Sequence, residues 1–216
     1  MKYVVTSYCK RSEEPALIID EWTPYYNLIL GDLLEWLPQI VCSEKALEKI
    51  ITLGIKLDAV VISATDEPRW AEFFREQNPL EIIFNADKKH FLDVALQWLH
   101  ERGHQSVNIL TSMDRKREMI EHSGIYQHLN LIIYAEHHKV ILHRNYIFKK
   151  WMTKNTFLII FLPKESKITT FGFDDDYNEA SLDGEIMLTT KNDGTATIKC
   201  STVPWVITEI MESSNY

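Results

Sequence analysis

Glycine-rich phosphate-binding motifs are absent from this chain. It has seven glycines in 216 residues and contains neither a G-x-x-x-x-G-K-[ST] loop nor a G-x-G-x-x-G turn. Both motifs bring backbone amides close to phosphate, which glycine permits because it has no Cβ. The G-x-S-x-G motif is absent too, and no cysteine is supported as a nucleophile by a nearby His and Asn. These absences argue against the P-loop, dinucleotide-binding and serine-hydrolase classes.

Cysteine and long apolar runs are also scarce. The three cysteines, Cys9, Cys42 and Cys200, are odd in number and show no C-x-x-C spacing. This pattern predicts a reducing compartment and no disulfide framework. No apolar run approaches the ~20 residues that span a bilayer, and polar residues follow the first apolar residues too soon for a signal peptide. We therefore expect a cytoplasmic protein without a membrane partner.

The charge balance argues against a nucleic-acid partner. The net charge is −8, whereas phosphate contacts need clustered Lys and Arg. The local basic group formed by Arg144, Lys149, Lys150 and Lys154 is interpreted as solvated surface near a domain boundary. Apolar residues make up 45% of the chain, which is ample for a core.

Strand-like and helical segments alternate between residues 37 and 110. The strand-like segments are continuous apolar runs, which is typical of strands buried on both faces of a parallel sheet. Gly54 and Gly103 follow helical segments and can take the left-handed conformation that ends a helix. The predicted strands are 39–42, 57–62, 80–84 and 106–110, and the predicted helices are 44–53, 68–77 and 90–102.

The helical period disappears after residue 144. Short strands recur there about every 8–12 residues, which predicts a β-sandwich or barrel. Asn192-Asp193-Gly194 is a good hairpin signal. The predicted strands are 156–162, 167–171, 185–190, 195–200 and 205–210. The predicted fold class is α/β, with a parallel-sheet, Rossmann-like N-terminal domain followed by an all-β sandwich C-terminal domain.

Three segments make up the predicted domain organisation. Residues 1–25 form an N-terminal hairpin extension, residues 26–148 the α/β domain and residues 149–216 the β-sandwich. The predicted elements outside the two main patterns are strands 3–8, 16–20, 26–30, 130–135 and 139–143, and helices 33–37 and 119–129.

Ligands of parallel sheets bind outside the carboxyl ends of the strands. Few carboxylates occur just past the predicted ends: Asp32 follows strand 26–30, Asp66 follows strand 57–62 and Asp87 follows strand 80–84. A carboxylate there can bind a ligand or cap the next helix. At Asp66, the nearby Pro68 favours the capping role, because proline suits the first turn of a helix.

Three sequence patterns imitate metal sites. His100 and His104 match H-E-x-x-H, but Gly103 is expected to end the helix between them, so both cannot share one helical face. Asp174-Asp175-Asp176 lacks the spacing of a calcium loop. His137, His138 and His143 are interpreted as surface histidines. No metal site is predicted.

The order of these segments resembles that of the thiamine pyrophosphokinases from about Asn27 to Ile210. Ala95-Leu96 fits the Ala-Leu pair that the family has near the middle of one helix, and Thr170 to Phe173 fits its sandwich core. Elsewhere the family motifs are replaced. Ser43-Glu44-Lys45 stands for Asp-Gly-Gly, Leu57-Asp58 for Pro-Asp, Ser63 to Asp66 for Gly-Asp-x-Asp-Ser, Ala86 to Phe91 for Asp-x-Asp-x-Thr-Asp, Met113 to Glu118 for Gly-Gly-Arg-x-Asp-His, and Lys191-Asn192 for Ser-Asn.

The resemblance implies transfer of pyrophosphate from ATP to thiamine in a homodimer, with carboxylates holding Mg²⁺ on the phosphates. In this register carboxylates are lost at four positions: Ser63, Thr65, Lys88 and Phe91. Mg²⁺ and ATP are therefore expected only if the family activity is retained.

The resemblance also implies roles for individual residues. Asp66 and Asp87 are weak catalytic candidates, Arg115 and Asp32 nucleotide-binding candidates, and Asn192 a substrate-binding candidate. Three hypotheses follow. The chain is a weak or inactive relative that retains at most a binding role for thiamine or a related molecule, an active enzyme using shifted carboxylates, or a structural or partner-binding homodimer.

Overall fold

The computed structural model of the chain describes residues 14–63, 65, 67–85, 90–114 and 128–211. Backbone contacts divide the chain into two compact units. The described residues of the first lie within 14–112 and 128–131, and those of the second are 113–114 and 132–211. The predicted division into domains at residue 148 stays a prediction. Within the described residues, no helix is both long and apolar enough to cross a membrane.

The first unit contains a parallel sheet. Its strands, β1 to β5, lie in the order β4-β3-β2-β1-β5, and each hydrogen-bonded pair is parallel. Every residue of β1, β2 and β3 is buried, as the continuous apolar runs predicted. The strands are β1 (Ala16–Ile19), β2 (Ile40–Ser43), β3 (Ala59–Ile62), β4 (Glu81–Phe84) and β5 (Ser106–Leu110).

Helices connect these strands, as the sequence predicted. The Ser43 side chain caps α2 by accepting a hydrogen bond from the Ala46 amide at 3.4 Å. Gly54 and Gly103 follow α2 and α4 with φ values of 65° and 85°, which confirms that these glycines end the helices. The helices are α1 (Leu30–Leu34), α2 (Glu44–Thr52), α3 (Glu67–Glu76) and α4 (Phe91–Glu101).

One prediction for the N-terminal region is wrong, and one is not tested by the described residues. The segment 26–30 is helical rather than extended: a 3-10 helix spans Pro24–Leu28, and α1 follows. Strand β1 is central in the sheet, with β2 on one side and β5 on the other. Its predicted hairpin partner, strand 3–8, lies outside the described residues, so the hairpin extension stays a prediction.

The second unit consists of antiparallel strands. The strand order is β6-β7-β12-β9-β11-β8, and β10 pairs with β9. β9 is 15 residues long. It pairs with β12 through Leu158–Phe161 and with β11 through Ile168–Phe171. The strands are β6 (Asn130–Ala135), β7 (His138–His143), β8 (Ile147–Met152), β9 (Phe157–Phe171), β10 (Ala180–Thr189), β11 (Gly194–Cys200) and β12 (Trp205–Ile210).

The core of the second unit is formed by alternate residues of strands β8 to β12. Phe173 and Trp205 lie in it, each with 1% of its surface exposed. Lys150, on β8, forms a 2.5 Å ion pair with Glu209 on β12. Strand β8 was missed in the sequence, because its Lys149-Lys150 pair was interpreted as solvated surface.

Candidate functional site

The carboxyl ends of the central parallel strands carry a buried polar cluster, the Asp20 cluster, formed by Asp20, Ser43 and Thr111. Asp20, which follows β1, is 2% exposed. The Thr111 hydroxyl, after β5, donates a hydrogen bond to Oδ2 of Asp20 at 2.9 Å. The Ser43 hydroxyl, at the end of β2, donates to the backbone carbonyl of Asp20. The strand order brings these residues together, since β1 lies between β2 and β5.

Neighbouring side chains close this cluster. The Tyr26 hydroxyl donates to the backbone carbonyl of Thr111, and the Trp22 ring packs edge-on against Tyr26 with a centroid distance of 5.9 Å. Burial, and secondarily the charge of Asp20, raise the pKa of the Cys42 thiol far above its usual range. Cys42 is therefore a buried thiol rather than a nucleophile. The sequence interpretation missed Asp20 because it placed this residue in a terminal hairpin.

Two hydroxyls stand at the end of β3, where the family resemblance calls for carboxylates. The oxygens of Ser63 and Thr65 lie 2.8 Å apart, and both residues are exposed. A neutral hydroxyl offers Mg²⁺ less than a carboxylate does, because it cannot neutralise the ion's charge. This strand end is thus poor in metal ligands at the two described positions.

The other candidates predicted for the sheet edge do not form a common site within the described residues. Asp66, Asp87 and Arg115 lie outside the described residues, so their roles stay predictions. Asp32 is exposed in the first turn of α1. It does not follow a strand, so the reason for placing it over a ligand is wrong. Among the side chains that the structure describes, no three from His, Cys, Asp or Glu lie close enough together to hold a metal ion.

The H-E-x-x-H pattern is divided as expected. Helix α4 ends at Glu101, and His104 lies beyond it. His104 is buried, and its Nε2 lies 2.7 Å from the Gln39 side-chain oxygen. Burial lowers the pKa of His104, so the neutral ring is favoured and serves packing.

The second unit contains a cavity of about 390 Å³. Asn192 lines it, and no described group hydrogen-bonds the Asn192 side chain, whose amide is thus available to a ligand. Its role in substrate binding stays a prediction. The other lining residues are Phe171, Gly172, Asp176, Lys191, Asp193, Gly194, Thr195 and Ala196.

The cavity wall is held by its own loops. Asp176 accepts hydrogen bonds from the Gly172 amide at 3.3 Å and the Phe173 amide at 3.1 Å. Asp193 accepts one from the Lys154 amide at 2.6 Å. Gly172 has a φ of 95°, and a Cβ there would lie 3.3 Å from the Thr195 carbonyl oxygen, so glycine suits this position best.

The fold and these two regions define an α/β protein with a parallel sheet in one unit and antiparallel strands in the other. No protein-family model and no curated protein sequence matches the chain. Solved structures match it nonetheless, at low identity. Thiamin pyrophosphokinase from Geobacillus thermodenitrificans is 13% identical, with a TM-score of 0.72 over 92% of this chain and 98% of that chain.

Two further structures agree. Thiamine pyrophosphokinase from Bacillus subtilis is 13% identical, with a TM-score of 0.70 over 91% of this chain and 99% of that one. Yeast thiamin pyrophosphokinase is 8% identical, with a TM-score of 0.66 over 92% and 87%. The chain therefore has the fold of the thiamine pyrophosphokinases, which confirms the resemblance seen in the sequence.

Proposed function

We propose that this protein is a divergent relative of the thiamine pyrophosphokinases that binds thiamine or a related molecule and transfers pyrophosphate weakly or not at all. The observation that carries the proposal is the Ser63–Thr65 hydroxyl pair at the end of β3, in a chain with the family's fold. We further propose that the chain folds into two domains, one Rossmann-like and one a β-sandwich, and that the protein is cytoplasmic.

The expected loss of activity follows from charge. Transfer of a pyrophosphoryl group needs Mg²⁺ to neutralise phosphate oxygens, and carboxylates to hold the Mg²⁺. Each ~1.4 kcal/mol of lost transition-state stabilisation lowers the rate about tenfold. Hydroxyls at Ser63 and Thr65, with lysine and phenylalanine at positions 88 and 91, leave the metal without much of its scaffold.

The binding role rests on the cavity beside Asn192. Its lining offers an aromatic ring, from Phe171, and an amide without a hydrogen-bond partner among the described residues. Asp176 and Asp193 add negative charge close by, which Lys191 offsets in part. A flat, positively charged heterocycle such as the thiazolium of thiamine suits this combination, because an aromatic face and carboxylates both attract cations.

A homodimer forms part of the proposal. Phe161 on β9 and Met187 on β10 are exposed, and both point away from the core, as Ile159 between them does. Together they form a mainly apolar face, the β9–β10 face, with Glu185 beside Phe161, that a second copy would cover. Phe173 and Trp205, two large apolar residues of the same unit, are accounted for by the core.

Two measurements test the function. AMP release is followed with thiamine, ATP and Mg²⁺, and the Bacillus subtilis enzyme serves as the positive control. Thiamine binding is measured by calorimetry on the wild type, Asn192→Ala and the control Phe161→Ala. We expect little AMP, and thiamine binding that only Asn192→Ala weakens. Robust AMP formation would favour the alternative of an active enzyme using shifted carboxylates, and absence of thiamine binding would favour a structural homodimer.

A further inference from the structure

One exposed sheet face of the second unit combines aromatic rings with lysines. We call it the outer face. It is formed by β8, β11 and the C-terminal part of β9, and its side chains alternate with those of the core. Phe148 and Met152 point inward from β8, so Lys149 and Trp151 point outward. The outward residues are Ile147, Lys149 and Trp151 on β8, Thr195, Thr197 and Lys199 on β11, and Lys167, Thr169 and Phe171 on β9.

The strand register places these residues in rows across the face. Thr197 pairs with Phe171 on one side and Lys149 on the other. In the row on one side of Thr197, Lys199 pairs with Thr169 and Ile147. In the row on the other side, Thr195 pairs with Trp151. Lysines therefore lie between aromatic or apolar side chains, with threonine hydroxyls along the central strand.

The outer face is locally basic. None of its nine outward strand positions holds a carboxylate. Lys149, Lys167 and Lys199 form no ion pair with any residue that the structure describes, in contrast to Lys150, which points inward to Glu209. Carboxylates flank the face at both ends: Asp176 and Asp193, beside Phe171, accept hydrogen bonds from the backbone amides of Gly172 and Lys154, and Glu179 lies beside Lys167 and Lys199.

Large aromatic side chains on this face stay in solvent. Trp151 is 62% exposed and Phe171 69%, and Tyr146, just before β8, is 60% exposed. A second cavity, of about 410 Å³, opens beside Tyr146, Lys167 and Lys199. The Asn192 cavity lies at the opposite end of β11, beside Phe171.

We propose that the outer face binds single-stranded nucleic acid without sequence preference. Exposed rings on a sheet provide stacking surfaces for unpaired bases, and lysines between them neutralise the phosphates. Threonine hydroxyls supply hydrogen bonds to phosphate and sugar. A duplex fits poorly, because its bases are already stacked. This function is separate from the thiamine site proposed above, although Phe171 borders both.

The charge of the outer face favours nucleic acid over a second copy of the chain as its binding partner. A two-fold contact through the outer face would bring Lys149, Lys167 and Lys199 towards the same lysines of the other copy, and the β9–β10 face is the more apolar alternative. The net charge of −8, which argued against a nucleic-acid partner in the sequence, is a sum over the whole chain. It weakens long-range attraction, so the affinity should rest on the local lysine–phosphate contacts, which salt weakens strongly.

The test is fluorescence anisotropy with a labelled oligothymidylate of about a dozen nucleotides, a length within the range of site sizes of single OB-folds. Three lysine–phosphate contacts predict a slope of about −2 in log K against log salt, or about a 20-fold loss of affinity from about 50 to about 200 mM salt. In Lys149→Gln/Lys199→Gln the slope should fall to about −0.7. Trp151→Ala should weaken binding about 5-fold or more.

Matched controls lie away from the outer face. Lys56→Gln removes an exposed lysine and Trp36→Ala an exposed ring, both in the first unit; neither should change affinity. No binding at low salt, equal binding of a duplex, or equal loss in the control variants would overturn the proposal. So would a dimer in solution that Trp151→Ala dissociates, because the outer face would then be an interface between copies.

Discussion

The Thr111 hydroxyl and the Asp20 carboxylate are joined by a 2.9 Å hydrogen bond that links the ends of β5 and β1. Both residues are buried. Thr111→Val keeps the shape of the side chain but removes the donor. We expect it to lower the free energy of unfolding by about 1–3 kcal/mol, since a buried charged acceptor loses a partner. Urea denaturation measures the change. Thr111→Ser keeps the hydroxyl and should lose clearly less.

Cys42 gives a prediction about reactivity and pH. Because burial and Asp20 raise the pKa of this thiol in the folded state, the thiolate forms mainly on unfolding. The contribution of Cys42 to stability is complete below the unfolded pKa of about 8.5 and falls as the pH rises above it. Wild type and Cys42→Ala should show the same number of thiols reactive towards a disulfide reagent when native, and differ by one when denatured. A difference in the native state would contradict the burial of this thiol.

The ion pair of Lys150 and Glu209 predicts a charge-dependent loss of stability. Glu209→Gln leaves Lys150 without its partner and removes the carboxylate that raises the pKa of Lys139. We expect a loss of about 1–3 kcal/mol, at the lower end because Lys150 is partly exposed. Burial already lowers the pKa of Lys139, so stability should rise as the pH increases from the folded pKa towards about 10.4.

A double-mutant cycle separates charge from packing at this site. If the loss arises from unpaired ammonium groups, Lys139→Met should recover part of it in the Glu209→Gln background. It should have a smaller or opposite effect in the wild type, where Glu209 is present. Equal effects of Lys139→Met in both backgrounds would count against the charge explanation.

The proposed dimer is tested on the β9–β10 face. Met187→Glu adds a second carboxylate to that face, two residues from Glu185, and should convert a dimer to a monomer in light scattering at micromolar concentration. Trp151→Glu, on the outer face, is the matched control and should leave the mass unchanged. A wild-type monomer at that concentration would refute the dimer.

Metal binding follows from the sequence at residues 87–91. Lys88 and Lys89 stand beside Asp87, and an ammonium group repels a divalent cation and competes for its carboxylates. We expect weak Mn²⁺ binding, and no recovery of AMP formation in Lys88→Asp, because Thr65 and Phe91 still supply no charged oxygens. Micromolar Mn²⁺ binding to the wild type that Asp87→Ala abolishes would restore the enzyme hypothesis.

The parallel sheet could be predicted from sequence, because burial on both faces leaves continuous apolar runs in its strands. Gly54 and Gly103 marked the ends of two of the helices between those strands. The segment from Pro24 to Leu34 could not. Its apolar residues suit a strand as well as a helix, and the bond from Tyr26 to the Thr111 carbonyl depends on a residue 85 positions away. Short-range patterns carry no information about such partners.

The functional regions were predictable to different degrees. Asn192 was found through the family resemblance, and it does line a cavity. The Asp20 cluster was missed, because strand order rather than sequence order makes β1 and β5 neighbours. The outer face was missed because Lys149 and Lys150, adjacent in sequence, point to opposite sides of β8, and only the register with β11 shows which lysine stays exposed.

The change of partners along β9 has a consequence for the time course of folding. The first part of β9 pairs with β12 and its second part pairs with β11, although β11 precedes β12 in the sequence. β12 also pairs with β7, more than 60 residues earlier in the chain. Contacts so distant require long loops to close first, which places a β-rich unit among slow folders, with times of about milliseconds to seconds. During synthesis on a ribosome, the centre of this unit cannot assemble until Trp205–Ile210 has emerged. The apolar strands made earlier therefore stay exposed until almost the whole unit has been synthesised.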